Sequence, residues 1–157
     1  MNENELNNPK KNRELKKSKD NEKSKSLEEN LVLAIDPGRD KCGLAIINQK
    51  KDVLYKNIIK TELISSYLKD LNNKHNIDIV ILGNGTYSRK ISQEVNSHMD
   101  CPFRLIDEAY TTIEAERRYR EENYRGWCRF FNFIKWKPSR SVDDYVAIIL
   151  AERFLEE

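Results

Sequence analysis

Cysteine and histidine are scarce in this sequence, and each shortage excludes a class of chemistry. The three cysteines, Cys42, Cys101 and Cys128, are odd in number and show no C-x-x-C spacing, which argues against a disulfide framework and against a zinc knuckle. They are expected to be free thiols. The two histidines, His75 and His98, fall at polar helix ends with no motif around them, so a Ser-His-Asp centre lacks its base. Both read as surface residues. No stretch is long and apolar enough to cross a bilayer, and the N-terminal region has neither the apolar core of a signal peptide nor the Arg-rich, acid-poor character of a transit sequence. A cytoplasmic protein without a membrane partner is expected. With 28 Lys and Arg against 26 Asp and Glu, the signs nearly balance, and only local clustering of charge can choose a partner.

What remains is enough for one core. A chain of 157 residues, 38% hydrophobic and 34% charged, fits one compact domain with a polar appendage. Residues 1–29 mix Lys, Glu, Asn and Ser with almost no large apolar side chains, so they cannot offset the entropy of ordering. They are expected to be a disordered tail, and residues 30–157 the folded domain. There, "LVLAID", "CGLAIIN" and "VLYKNIIK" read as a three-strand meander across the turns "DPGRDK" and "QKKD". Leu63, Ile64, Tyr67, Leu68 and Leu71 recur at helical spacing, and "IDIVILG" is an apolar run suited to a strand covered on both faces. A helix near Ser88, a strand "FRLIDE", a helix "TTIEAERRYREE" and a last helix "SVDDYVAIILAERFL" with Ser141 as N-cap complete the reading. The expected order is βββαβαβα, an α/β three-layer domain on a mixed five-stranded sheet.

Acids stand at the ends of these elements. Asp36 closes an apolar strand, where a carboxylate is costly to bury unless something positive meets it. Asp107 and Glu108 close "FRLIDE", and strand alternation sends them to opposite faces, so only one can share a site with Asp36. Asp143 and Asp144 open the last helix, where free amides and the dipole tolerate anions. Asp143 heads a stripe with Ala147, Leu150 and Phe154 and is expected to point inward; Asp144 is read as a cap or an outer-shell ligand. Each acid alone has a bland reading as a turn or cap residue. Three together repel one another, and a hard divalent cation such as Mg²⁺ removes that penalty while gaining oxygen ligands.

The segments "LAIDPGRDKCGLAI", "LIDEAYTTIEAERRY" and "VDDYVAIILAERFL", in that order, resemble the YqgF family of RuvC-like nucleases, over about residues 31–155. The resemblance implies an RNase H-like fold and the activity of a Holliday junction resolvase or of a nuclease processing ribosomal RNA precursor. It further implies that Asp36, Glu108 and Asp143 are catalytic and hold two Mg²⁺ or Mn²⁺ ions, about 4 Å apart, for in-line phosphodiester hydrolysis. Two departures stand out. "GNGTYSR" is closer to the YqgF-like domain of the transcription accessory protein Tex, a domain without nuclease activity, and Ala109 stands where the commoner motif has Arg. Because all three acidic positions are filled, an active enzyme is the leading expectation, with a non-catalytic nucleic-acid-binding module of the same fold as the alternative. An actin-like ATPase, suggested by the acid-glycine turn after the first strand, would need two related domains, and this chain is too short.

The partner implied is a DNA junction or a structured RNA. "RGWCRFFNFIKWKPSR" sets Arg125, Arg129, Lys135, Lys137 and Arg140 among aromatics that include Trp127 and Trp136, with no acid inside it. The cations suit phosphates and the rings suit unpaired bases; the same aromatics would equally suit the core or a second subunit. "GNGTYSRK" has the makings of a phosphate-binding turn with Arg89 as partner, or of a plain glycine turn. Action on a two-fold junction needs two active sites, so a homodimer is expected under the resolvase reading.

Overall fold

The computed structural model of the chain describes residues 30–123 and 138–157. The expected tail, and with it Arg125, Trp127, Arg129, Lys135, Trp136 and Lys137 of the basic aromatic segment, lie outside the described residues. Strands β1 (Leu31–Pro37), β2 (Lys41–Asn48) and β3 (Val53–Lys60) form the meander. Helix α1 (Ile64–Lys74), β4 (Ile77–Gly83), α2 (Ser88–His98), β5 (Phe103–Ile106), α3 (Thr111–Asn123) and α4 (Asp143–Glu156) follow. The order is therefore βββαβαβαα: both C-terminal helices read from the sequence are present, and the string βββαβαβα is one helix short of them.

The sheet runs β3-β2-β1-β4-β5. β1, β2 and β3 pair antiparallel, while β1, β4 and β5 are parallel. Alternation along the strands divides the core in two. Val32, Ala34, Ala45, Ile47 and Ile81 face α3 and α4; Leu33, Ile35, Leu44, Ile46, Val80 and Leu82 face α1 and α2. These are the three layers expected of an RNase H-like fold. Both described cysteines are free, with Cys42 buried and Cys101 half-buried.

Helix α4 is the buried spine of one layer. From Asp144 to Ala151 every residue is buried, because the sheet covers one side and α3 the other. A helix apolar around nearly its whole circumference is stable only in such a place. Its C-terminal part is tied to α3 by Arg118 to Glu152 at 2.7 Å and Arg153 to Glu114 at 3.0 Å. The helix begins at Asp143 with Val142, not the expected Ser141, at the N-cap and no side-chain cap bond. Tyr145 and Val146 instead donate their amides to the Val142 carbonyl at 2.8 and 3.0 Å.

One glycine sets how close α4 comes to the sheet. A Cβ at Gly43 would collide with the carbonyl oxygen and carbon of Asp143, so the backbone of β2 is open where the helix starts. Glycine inside a strand commonly marks such an approach. Gly43→Ala should lower the unfolding free energy by about 1–3 kcal/mol, as overpacking against backbone does, read from urea denaturation; an unchanged midpoint would show that the contact is slack.

Candidate active site

Sheet register assembles the acidic centre. Asp36 has the parity of Val32 and Ala34 and so faces the α4 layer, and its direct cross-strand partner is Gly43. Because Gly43 has no side chain, the Asp143 backbone occupies the space beside Asp36. Asp143 is half-buried there, in the first turn of α4, where the helix dipole favours negative charge.

Glu108 reaches the same end of the sheet by a different route from the one expected. Strand β5 stops at Ile106, so Asp107 and Glu108 lie beyond it and strand alternation does not orient them. Asn84 orients Glu108 instead: its Oδ1 accepts the Glu108 amide at 3.3 Å, while its own amide donates to the Ile106 carbonyl at 3.0 Å. The Glu108 carboxylate lies over the glycines of "GNG". A Cβ at Gly83 would meet Glu108 Oε2 at 2.6 Å and Pro37 Cδ at 3.1 Å, and one at Gly85 would collide with Glu108 Oε1. The Gly85 amide also donates a hydrogen bond to the carboxylate. The turn read as either a phosphate cradle or a plain glycine turn thus cradles one of the protein's own acids. Thr111 closes the arrangement, donating its hydroxyl to the Glu108 carbonyl at 2.7 Å.

The electrostatics show that the three acids share one field. The Asp36 carboxyl is raised from 3.8 to about 7, by burial first and then by the charges of Asp143 and Glu108. For Glu108, burial also raises the pKa, the Gly85 amide opposes it, and Asp107 adds to it. In this arrangement no group of three or more His, Cys, Asp or Glu among the described residues forms a ready metal-ligand cluster. The set nevertheless fits a hard divalent cation in kind, since its donors are all carboxylate oxygens under mutual repulsion.

Asp144 has a different partner from the one expected. It is buried, and Arg140 clamps it with two bonds of 3.0 Å. The Arg140 guanidinium also lies 5.1 Å from the Tyr119 ring centroid and 5.7 Å from that of Tyr145. This is an anchor for the start of α4, and it occupies both oxygens of Asp144 that a metal's outer shell would use. Arg89 is exposed in the first turn of α2. There the Ser88 amide is already bonded to Gly85 O and the Lys90 and Ile91 amides to Tyr87 O. His75 and His98 are half-buried rather than superficial, and His98 pairs with Glu94 at 3.4 Å. Sequence reasoning missed Gly43, Gly83 and Asn84, although a glycine within the β-rich run "CGLAIIN" was an available sign of close approach.

This fold, with carboxylates gathered at one end of a mixed sheet, is of the RuvC-like, RNase H-like class. The structure aligns with T. thermophilus RuvC in complex with a Holliday junction substrate at a TM-score of 0.50 and 16% identity, covering 78% of this chain and 90% of that one. Another Thermus thermophilus RuvC structure aligns at 0.49 and 15% identity, covering 80% and 95%. A family model, described as the Tex protein YqgF-like domain, matches residues 30–116, and the chain belongs to that family. Asp36 and Glu108 fall within the match; Asp143 lies past its end. No curated protein matches the sequence, and no described helix is long and apolar enough to cross a membrane.

The raised Asp36 pKa makes stability depend on pH. The unfolded carboxyl ionises near 3.8 and the folded one near 7. Between those values the folded chain keeps a proton that the unfolded chain has lost, so stability falls as pH rises through the window. Asp36→Asn should therefore stabilise the protein far more at pH 8 than at pH 4. The difference should be about 2–4 kcal/mol, because each tenfold change in proton affinity on folding is worth about 1.4 kcal/mol. Denaturant melts at both pH values, without divalent ions, check this; equal effects at the two would remove the charge from the account.

Proposed function

We propose that the protein is a metal-dependent endonuclease that hydrolyses phosphodiester bonds in structured nucleic acid, either a four-way DNA junction or a ribosomal RNA precursor. One observation carries the reading: Asp143 and Glu108, from separate parts of the chain, lie close enough to the buried Asp36 at one end of the sheet for their charges to raise its pKa. A purely structural role would leave that repulsion uncompensated. Mg²⁺ or Mn²⁺ would be held by these three carboxylates, and when bound it supplies charge stabilisation at the phosphorus and activation of water.

The protein's own groups have definable tasks. Asp36 must release the proton that burial favours. Glu108 is kept in place by Gly85 and Asn84, so that it need not be ordered at the moment of reaction. Asp143 is positioned by the start of α4, and Arg140 holds that start by clamping Asp144. Arg125, Trp127, Arg129, Lys135, Trp136 and Lys137 of the basic aromatic segment, with Arg89, would engage phosphates and unpaired bases, while Arg140, expected among them, is committed to Asp144. A cytoplasmic location and a homodimer belong to the same reading.

The second reading is a non-catalytic nucleic-acid-binding module, and the Tex-type family match supports it. The two separate cleanly. Under the leading reading, Mn²⁺ raises the melting temperature of the native protein and leaves that of Asp36→Asn unchanged. It also supports cleavage of a four-way junction or a small-subunit ribosomal RNA precursor, which Asp36→Asn lowers at least about a hundredfold, since loss even of outer-shell partners costs tenfold to a hundredfold. Binding without cleavage of any substrate, and without thermal response to Mn²⁺, would leave the module.

A further inference from the structure

Lys41 and Lys60 stand directly opposite each other on β2 and β3. Directly opposed residues in an antiparallel pair share a face, and like charges so placed destabilise the sheet. By alternation, Lys56 and Ile58 lie on the same face of β3 as Lys60. That face is the α4 layer, because Lys41 has the parity of Ala45 and Ile47. The repulsion therefore sits beside the first turn of α4, next to the acidic centre.

Two open grooves meet at this pair. One, of about 510 Å³, is lined by Lys41, Lys56, Lys60 and Arg140 together with Ser141 and Asp144. The other, of about 410 Å³, is lined by Arg39, Lys41, Lys60 and Lys90 with Asp40 and Glu62. Lys41 and Lys60 line both. The cations exceed the acids, and those acids do little to the balance. Glu62 pairs with Lys60 at 3.6 Å and Asp40 with Arg39 at 3.4 Å, all with side chains more than 70% exposed, where such pairs are weak. Asp144 is spent on Arg140. Lys41 and Lys90 have no acidic partner among the described residues.

From this we infer that the two grooves are one phosphate track, in which Lys41 and Lys60 contact the sugar-phosphate backbone of a nucleic-acid arm leaving the acidic centre past β3. The inference rests on the nuclease reading for its substrate class but assigns residues outside both the acidic centre and the aromatic segment. Lysines can also simply guard an exposed edge strand against pairing. That role explains Lys56 and Lys60 on β3 but not Lys41, which lies on β2 between two neighbours.

The test compares the double variant Lys41→Ala, Lys60→Ala with a control of equal charge change, Lys69→Ala, Lys74→Ala, whose exposed side chains are on α1 across the sheet. Binding of a fluorescent four-way junction DNA and of a structured RNA hairpin is measured against salt concentration. The track predicts weaker binding for the first variant alone, with the slope of log K against log salt reduced by about two, one for each lost phosphate contact. Arginine at both positions should restore it. If the double variant matches its control, or wild-type protein binds neither probe, the track is refuted. A wild type that binds through these lysines but never cleaves would keep the track and sink the nuclease reading; one that cleaves while the double variant binds normally would do the reverse.

Discussion

The close approach of the α4 backbone to β2 at Gly43 is the constraint on which the rest of this structure depends. It brings Asp143 alongside Asp36 and fixes the depth at which the spine helix enters the core. It also obliges the chain to neutralise Asp144, which the first turn of that helix buries. Arg140 answers that need with a bidentate bond and two tyrosine rings, so that one carboxylate of the pair is satisfied internally while its neighbour is left to the acidic centre.

The opposite wall follows a different physical logic. There the chain uses glycines to admit a side chain rather than a backbone. Gly83 and Gly85 leave the space that Glu108 fills, and Arg153 donates to the Asp107 carbonyl at 3.1 Å, tying the loop to the far end of α4. A single helix thus serves both walls. The result is a site whose three acids are held in place with no ion-pair partner for Asp36, Glu108 or Asp143 among the described residues.

The sheet is legible in the sequence because its strands are apolar runs bounded by turn residues: "VLYKNIIK" and "IDIVILG" match β3 and β4 residue for residue. The gathering of Asp36, Glu108 and Asp143 is legible too, from acids at element ends and from the family resemblance. For Glu108 the cause differs from the expected one. Strand periodicity ends at Ile106, two residues short of it, and Asn84 and a glycine turn take over. Long-range partners cannot be read from local pattern, which is why the carboxylate lying over "GNG" escapes the sequence; the Arg140 clamp on Asp144 is local but starts before the helix does, so helical spacing does not announce it. The opposition of Lys41 and Lys60 depends on strand register, which the meander implies but the residue types alone do not reveal. Register settles it.

The central claim, that three distant carboxylates form one electrostatic unit around Asp36, is tested most directly by following the Asp36 carboxyl carbon by NMR as pH is varied in metal-free protein. The account predicts a midpoint near 7, moving down when Asp143 is replaced by Asn and collapsing towards the ordinary carboxylate range when Mg²⁺ is added. A midpoint near 4 that neither change disturbs would contradict it.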